Sequence, residues 1–138
     1  MQLQDVRCFL LDMDGTFYLG DQIIPGSLEF IEKVVFSGRD FMFLTNNSSH
    51  NANFYVQKLA KMGLSIDRRR VMTSGEATCE KISELYPGRR AFLLGNEFLR
   101  EEFREAGIPA DTLEQAERLP AGRQDLLMAL SDQWGHWL

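Results

Sequence analysis

The chain has 138 residues, 44% hydrophobic and 25% charged, which fits one globular domain of ordinary size and argues against disorder. Its formal net charge is −5, so it makes a poor partner for nucleic acid, whose phosphates need a basic surface. No apolar stretch approaches the ~18 residues of a membrane span, and the amino terminus lacks the basic start and apolar run of a signal peptide. The expected setting is therefore cytoplasmic, with no membrane partner. Cys8 and Cys79 have no Cys or His at metal-ligand spacing, and two reduced, mostly buried thiols are expected.

Short apolar runs alternate with amphipathic stretches, the pattern of an α/β fold. A strand is predicted over 6–11. Residues 27–36 have a helical period, with Pro25-Gly26-Ser27 supplying a turn and a capping hydroxyl and Ser37-Gly38 the stop. A strand over 41–44 and a helix over 53–62 follow, the helix stopped by Gly63. Arg68-Arg69-Arg70 is read as a solvated connection into a short extended piece at 70–73. A helix over 76–85 closes at Pro87-Gly88, a strand covers 91–94, and a helix over 97–106 ends at Gly107 with Pro109 forbidding its resumption. Residues 112–119 read as a helix or a loop, and 126–130 as a strand.

The first chemical signal is Leu10-Leu11-Asp12-Met13-Asp14-Gly15-Thr16. Residues two apart on a strand point to the same side, so Asp12 and Asp14 are expected to project together from a strand's carboxyl end, where open α/β sheets bind ligands. Two carboxylates this close repel each other unless a divalent cation or a shared proton intervenes, and hard oxygen donors suit Mg2+. A plain acidic turn has the same spelling. The second signal is Phe43-Leu44-Thr45-Asn46-Asn47-Ser48-Ser49, a strand ending in a hydroxyl and two amides. Such groups hold phosphate, although Ser48, Ser49 or Asn51 also suit helix capping.

Together these two signals resemble the first and second motifs of the haloacid dehalogenase superfamily of phosphohydrolases. The finer likeness is to its subfamily of NagD-like, para-nitrophenyl and pyridoxal phosphate phosphatases. It extends through Phe17-Tyr18-Leu19-Gly20, Ile24-Pro25-Gly26, residues 73–78 and residues 93–99, and fades from Asp111 onward. The resemblance implies a Rossmann-like core, a parallel sheet flanked by helices. Residues 1–84 would form its amino-terminal half, and 85–138 part of a diverged α/β cap. It implies Asp12 as nucleophile and Asp14 as general acid and base. Mg2+ would be held by the Asp12 side chain and the Asp14 carbonyl. Asp14, Gly15, Thr45, Asn46 and Asn47 are the implied substrate-binding residues, and a small phosphorylated metabolite is the implied substrate. Phe17 and Tyr18 belong either to a flap or to the core, His50 reads as an exposed helix-cap residue, and His136 has no role.

The family's third motif, a lysine, and its fourth, an acidic group, should follow the cap and are not in the chain. Lys33, Lys58, Lys61 and Lys81 all fall in predicted helices upstream. Weak Mg2+ binding and severely reduced turnover are expected. A fragment, a short form completed by self-association, and a degenerate member remain open. The alternative function is a non-catalytic phosphate-binding or homo-oligomerising module on the same scaffold, since a half-built sheet exposes an edge.

Overall fold

A computed structural model describes residues 5–112 and the backbone of 126–130. The chain divides into two units, Met1–Thr45 with Ala52–Met72 and Asn46–Asn51 with Thr73–Leu138. The first contains β1 (Cys8–Leu11), β2 (Tyr18–Leu19), β3 (Gln22–Ile23), α1 (Ser27–Phe36), β4 (Asp40–Thr45) and α2 (Ala52–Lys61). A 3-10 turn at Arg68–Arg70 then leads into β5 (Val71–Thr73), whose last residue falls in the second unit. The sheet order is β1-β4-β5. β1 and β4 run parallel with Leu11 opposite Phe43, and α1 makes the crossover that parallel pairing requires.

Alternation along β4 decides the first core. Phe41, Phe43 and Thr45 are buried, while Met42 and Leu44 are half-buried. The Phe43 ring meets Phe17 edge to face at 4.9 Å and Phe41 at 5.6 Å. Ile31 and Val34 of α1 and Tyr55 and Leu59 of α2 complete this cluster. Among the described residues β1 has one neighbouring strand, and Leu10 on it is 65% exposed.

Most predicted elements stand where the periodicity put them, and the start of α1 is a correction. The cap is Gly26 at φ 89°, with no side-chain cap bond, and Ser27 is already helical. Ser27 N–H donates to Ile24 O at 3.1 Å. Pro25 and Gly26 therefore fill the two central positions of a type II turn, which needs a positive φ at the second. That turn takes up the place a capping hydroxyl would have used.

The arginine run serves the chain itself. Asp67 accepts from Arg69 N at 2.9 Å and caps the 3-10 turn. The Arg69 side chain, with its backbone N–H, holds the Asp67 carboxyl down at about 2. Arg70 pairs with Asp40, donates to Phe41 O at 2.9 Å and lies over the Phe41 ring. Its hydrogen bond holds the Asp40 carboxyl below the usual carboxylate range.

The second unit contains α3 (Ser74–Leu85), β6 (Arg90–Leu94), α4 (Glu97–Glu105), β7 (Ala110–Asp111) and β8 (Leu126–Leu130). Its sheet runs β7-β6-β8, all parallel. Ala91, Leu93, Leu99, Phe103, Ile82 and Cys79 form its core. The predicted strand at 126–130 is present, while 113–119 and His136 lie outside the described residues.

Helix α3 starts two residues before its predicted start. Thr73 accepts from Glu76 N, and Glu76 Oε2 accepts from Thr73 N, a reciprocal capping box. The Thr-x-x-Glu spacing at 73–76 is its sequence signature. Glu102, 5% exposed, accepts from Thr73 Oγ1 at 2.7 Å. A Cβ on Gly75 would stand 1.8 Å from Glu102 Oε2 and 2.7 Å from Leu99 Cδ1. Gly75→Ala is therefore expected to cost about 1–3 kcal/mol through overpacking. Urea denaturation reads this directly, and an unchanged midpoint would refute the packing account.

One of the two thiols departs from expectation. Cys79 is buried, and burial, then the nearby Glu102 charge, pushes its thiol up to about 12. Cys8 is exposed. Side chains alternate faces along β1, and the faces of Cys8 and Leu10 are left uncovered by the described residues.

Candidate active site

The first unit carries four of the predicted site residues. β1 ends at Leu11, yet its alternation continues, with Met13 1% exposed between the exposed Asp12 and Asp14. The anchoring of Met13 is what turns both carboxylates outward. The chain then folds tightly back. Met13 O accepts from Phe17 N at 2.8 Å, Tyr18 N at 3.2 Å and Thr16 N at 3.3 Å. Gly15, at φ 77°, donates from its N–H to Tyr18 O at 2.7 Å. A side chain at that φ would be strained, so glycine suits this turn. Thr16 Oγ1 donates to Asp12 Oδ2 at 3.5 Å, a long contact.

Thr45, 9% exposed, ends β4. Leu11 faces Phe43 across the parallel pair, so Asp12, Asp14 and Thr45 all leave the sheet at its carboxyl edge.

Phe17 and Tyr18 are core residues, 3% and 2% exposed. Tyr18 opens the hairpin of β2 and β3, on which Leu19 is 69% exposed. Burial first, then Tyr55, Asp14 and Asp12, push the Tyr18 phenol from 10.0 to about 12. The Lys58 ammonium lies 4.2 Å from the centre of this ring and 3.9 Å from Asp21 Oδ1. Because the folded state favours the protonated phenol, Tyr18's contribution to stability is whole below pH 10 and lost as pH rises through about 12. Alkaline titration of phenolate absorbance should show a last ionising group that is missing in Tyr18→Phe. Identical titrations would contradict this.

The second unit carries Asn46 and Asn47, both exposed. Asn47 Oδ1 accepts from Ser49 N at 3.0 Å, so its side-chain oxygen is engaged within the loop. Asn46 O accepts from Ser74 Oγ at 3.2 Å. Ser48 is buried at 6%. His50 is half-buried rather than exposed. Its Nδ1 is 3.0 Å from Ser49 Oγ and its ring packs on Phe98 at 4.9 Å, a contact that only the fold creates. Sequence reasoning missed Lys58, which lies over the Tyr18 ring and near Asp21, and the contacts of Ser74, Asn96 and Glu101 with the asparagine loop. Asn96 alone carried a signal, as a capping residue type directly before a helix.

Several known proteins are similar to this chain in sequence and fold. The family described as haloacid dehalogenase-like hydrolase matches residues 9–109. An acid sugar phosphatase of Staphylococcus aureus is 33% identical over 106 residues, 77% of this chain and 41% of its own length. The crystal structure of a 4-nitrophenylphosphatase from Thermotoga maritima superposes with a TM-score of 0.81 at 40% identity, covering 94% of this chain and 47% of that one. A glycerol phosphate phosphatase from Mycobacterium tuberculosis, solved in complex with magnesium, gives 0.72 at 27% identity, covering 94% and 37%. The chain thus spans less than half the length of these relatives. Among the described residues no helix is long and apolar enough to cross a membrane.

Proposed function

The chain belongs to the haloacid dehalogenase-like hydrolase family, and from that premise we propose that it carries the nucleophile-bearing part of a Mg2+-dependent phosphatase for small phosphorylated metabolites. The observation that carries this reading is the pair of exposed carboxylates, Asp12 and Asp14, turned outward at a parallel strand's carboxyl end by the buried Met13 between them. The names of the sugar, nitrophenyl and glycerol phosphate phosphatases to which it is similar support the substrate class. Residues 1–84 would supply half of a catalytic core and 85–138 the start of a cap.

In this reading an Asp12 carboxylate oxygen bonds to phosphorus as the bond to the leaving oxygen breaks. Asp14 gives its proton to the departing alkoxide. It then takes one from the water that attacks the aspartyl-phosphate, releasing phosphate and restoring the Asp12 carboxylate. Such acid–base work contributes typically ~10²–10⁴-fold. The Thr45 hydroxyl, the Gly15 backbone, and Asn46 and Asn47 next in the chain would orient the phosphoryl oxygens.

The donors at 12–14 suit the metal. The Asp12 carboxylate and the Asp14 carbonyl are hard oxygens, and among the described residues no group of three His, Cys, Asp or Glu is gathered. That donor set fits a cation that keeps several of its waters. When bound it would offset the charge between nucleophile and phosphate. Free thiols at Cys8 and Cys79 fit a reducing, cytoplasmic setting.

The test is para-nitrophenyl phosphate hydrolysis by the purified chain with Mg2+ and after its removal by chelation. Turnover that appears with Mg2+ and disappears with chelation is expected. A rate equal to the enzyme-free blank in both conditions would overturn the enzymatic reading for this chain.

A further inference from the structure

The segment from Asn46 to Asn51 is held from outside at several points, all within the second unit. Ser74 Oγ, at the start of α3, donates to Asn46 O at 3.2 Å. Asn96 Nδ2 donates to Ser49 O at 2.7 Å. Asn51 Nδ2 donates to Glu101 Oε2 at 2.8 Å, and the Phe98 ring packs against His50. Three of these four contacts come from the first turns of α4.

Asn96 is the centre of this arrangement because its side chain works in two directions. Its Oδ1 accepts from Leu99 N at 3.1 Å and caps α4, while its Nδ2 reaches the loop carbonyl. One planar amide thus ties the orientation of the helix start to the path of the loop. Leu99, buried at 3% beside Gly95, anchors the helix end of that tie. Inside the loop, Asn47 Oδ1 takes the Ser49 N–H, so fixing Ser49 also fixes the Asn47 amide.

We infer that Asn96 is a positioning residue for phosphate binding, acting through Ser49 to hold Asn46 and Asn47 in place. The inference rests on the reading that those two asparagines meet the phosphoryl group. It assigns the start of α4 a part in ligand binding although α4 itself supplies no group to the ligand. A loop so held loses less conformational freedom when an anion binds, which is the benefit of preorganisation.

Two variants separate the two bonds of Asn96. Asn96→Ser keeps a neutral capping hydroxyl but is too short to replace the donor to Ser49. Asn96→Asp keeps the shape and the cap and also lacks the donor. Hydrogen exchange read residue by residue should show faster exchange at the amides of Ser48 to Asn51 in both variants, with the α4 amides unchanged and the thermal midpoint of the neutral serine variant lowered by no more than one lost hydrogen bond accounts for. Titration with inorganic phosphate in the presence of Mg2+, followed by amide chemical shifts, should show affinity weakened about 3- to 10-fold, the size of one lost hydrogen bond. The neutral serine variant shows that the loss does not depend on added charge.

Unchanged exchange in the loop overturns the clamp, whatever the chain binds. Faster exchange with unchanged phosphate affinity overturns the positioning role. Absence of any phosphate response in the wild-type chain overturns the phosphatase reading and the positioning role together, while the exchange data still decide whether Asn96 orders the loop.

Discussion

Asp12→Asn is expected to abolish phosphate ester hydrolysis while leaving the fold intact. The substitution keeps the shape of the side chain and removes the anionic oxygen that would attack phosphorus. Asp12 is exposed, and its hydrogen bond from Thr16 is long at 3.5 Å, so little structural support is lost. Surface changes of this kind stay within about 0.5 kcal/mol. Removing the nucleophile of a covalent enzyme costs on the order of 10⁶-fold in turnover. The measurement is Mg2+-dependent hydrolysis of para-nitrophenyl phosphate beside a thermal melt of both proteins. Mass spectrometry of acid-quenched wild type should find a phosphoryl group on the peptide containing Asp12. Equal turnover in the variant, with a phosphoryl group elsewhere or nowhere, would remove Asp12 from the mechanism.

Phe43→Ala is expected to be the most damaging single truncation in the first unit. The Phe43 ring is 0% exposed and packs edge to face on Phe17 and Phe41. It sits on β4, opposite Leu11 at the end of β1, where the chain turns into the two aspartates. Truncating a buried phenylalanine costs about 3–5 kcal/mol, the transfer term and the cavity term together. Whole domains are stable by about 5–15 kcal/mol, so this is a large share of the total. Urea denaturation of the variant should show the loss. Because Thr45 lies two residues further along β4, phosphate affinity should fall as well. A stability loss below about 1 kcal/mol would mean that Phe43 is not the centre of this core.

The α/β order was legible because its signals are local. Strand alternation, helical period and Gly or Pro punctuation each act within a few residues, and they located β1, β4, β6, α1 and α4 nearly to the residue. Thr73-Ser74-Gly75-Glu76 was equally legible as a capping box, and the earlier start of α3 could have been read from it. The outward turn of Asp12 and Asp14 was also local, since alternation on either side of a buried Met13 requires it. Burial is different, because it depends on what packs from elsewhere in the chain. Tyr18 is core and not flap because α2 brings Tyr55 into its cluster and Lys58 over its ring. Cys8 is exposed because the described residues leave its face of β1 uncovered.

The sequence by itself determined the fold class and the family and singled out the two candidate carboxylates, since those rest on residue types in fixed short spacings. Only the tertiary structure decided how the asparagine loop is held. Asn96 and Ser49 are 47 residues apart, Asn51 and Glu101 are 50, and Thr73 and Glu102 are 29. No short-range pattern encodes bonds that exist only once separate helices have packed.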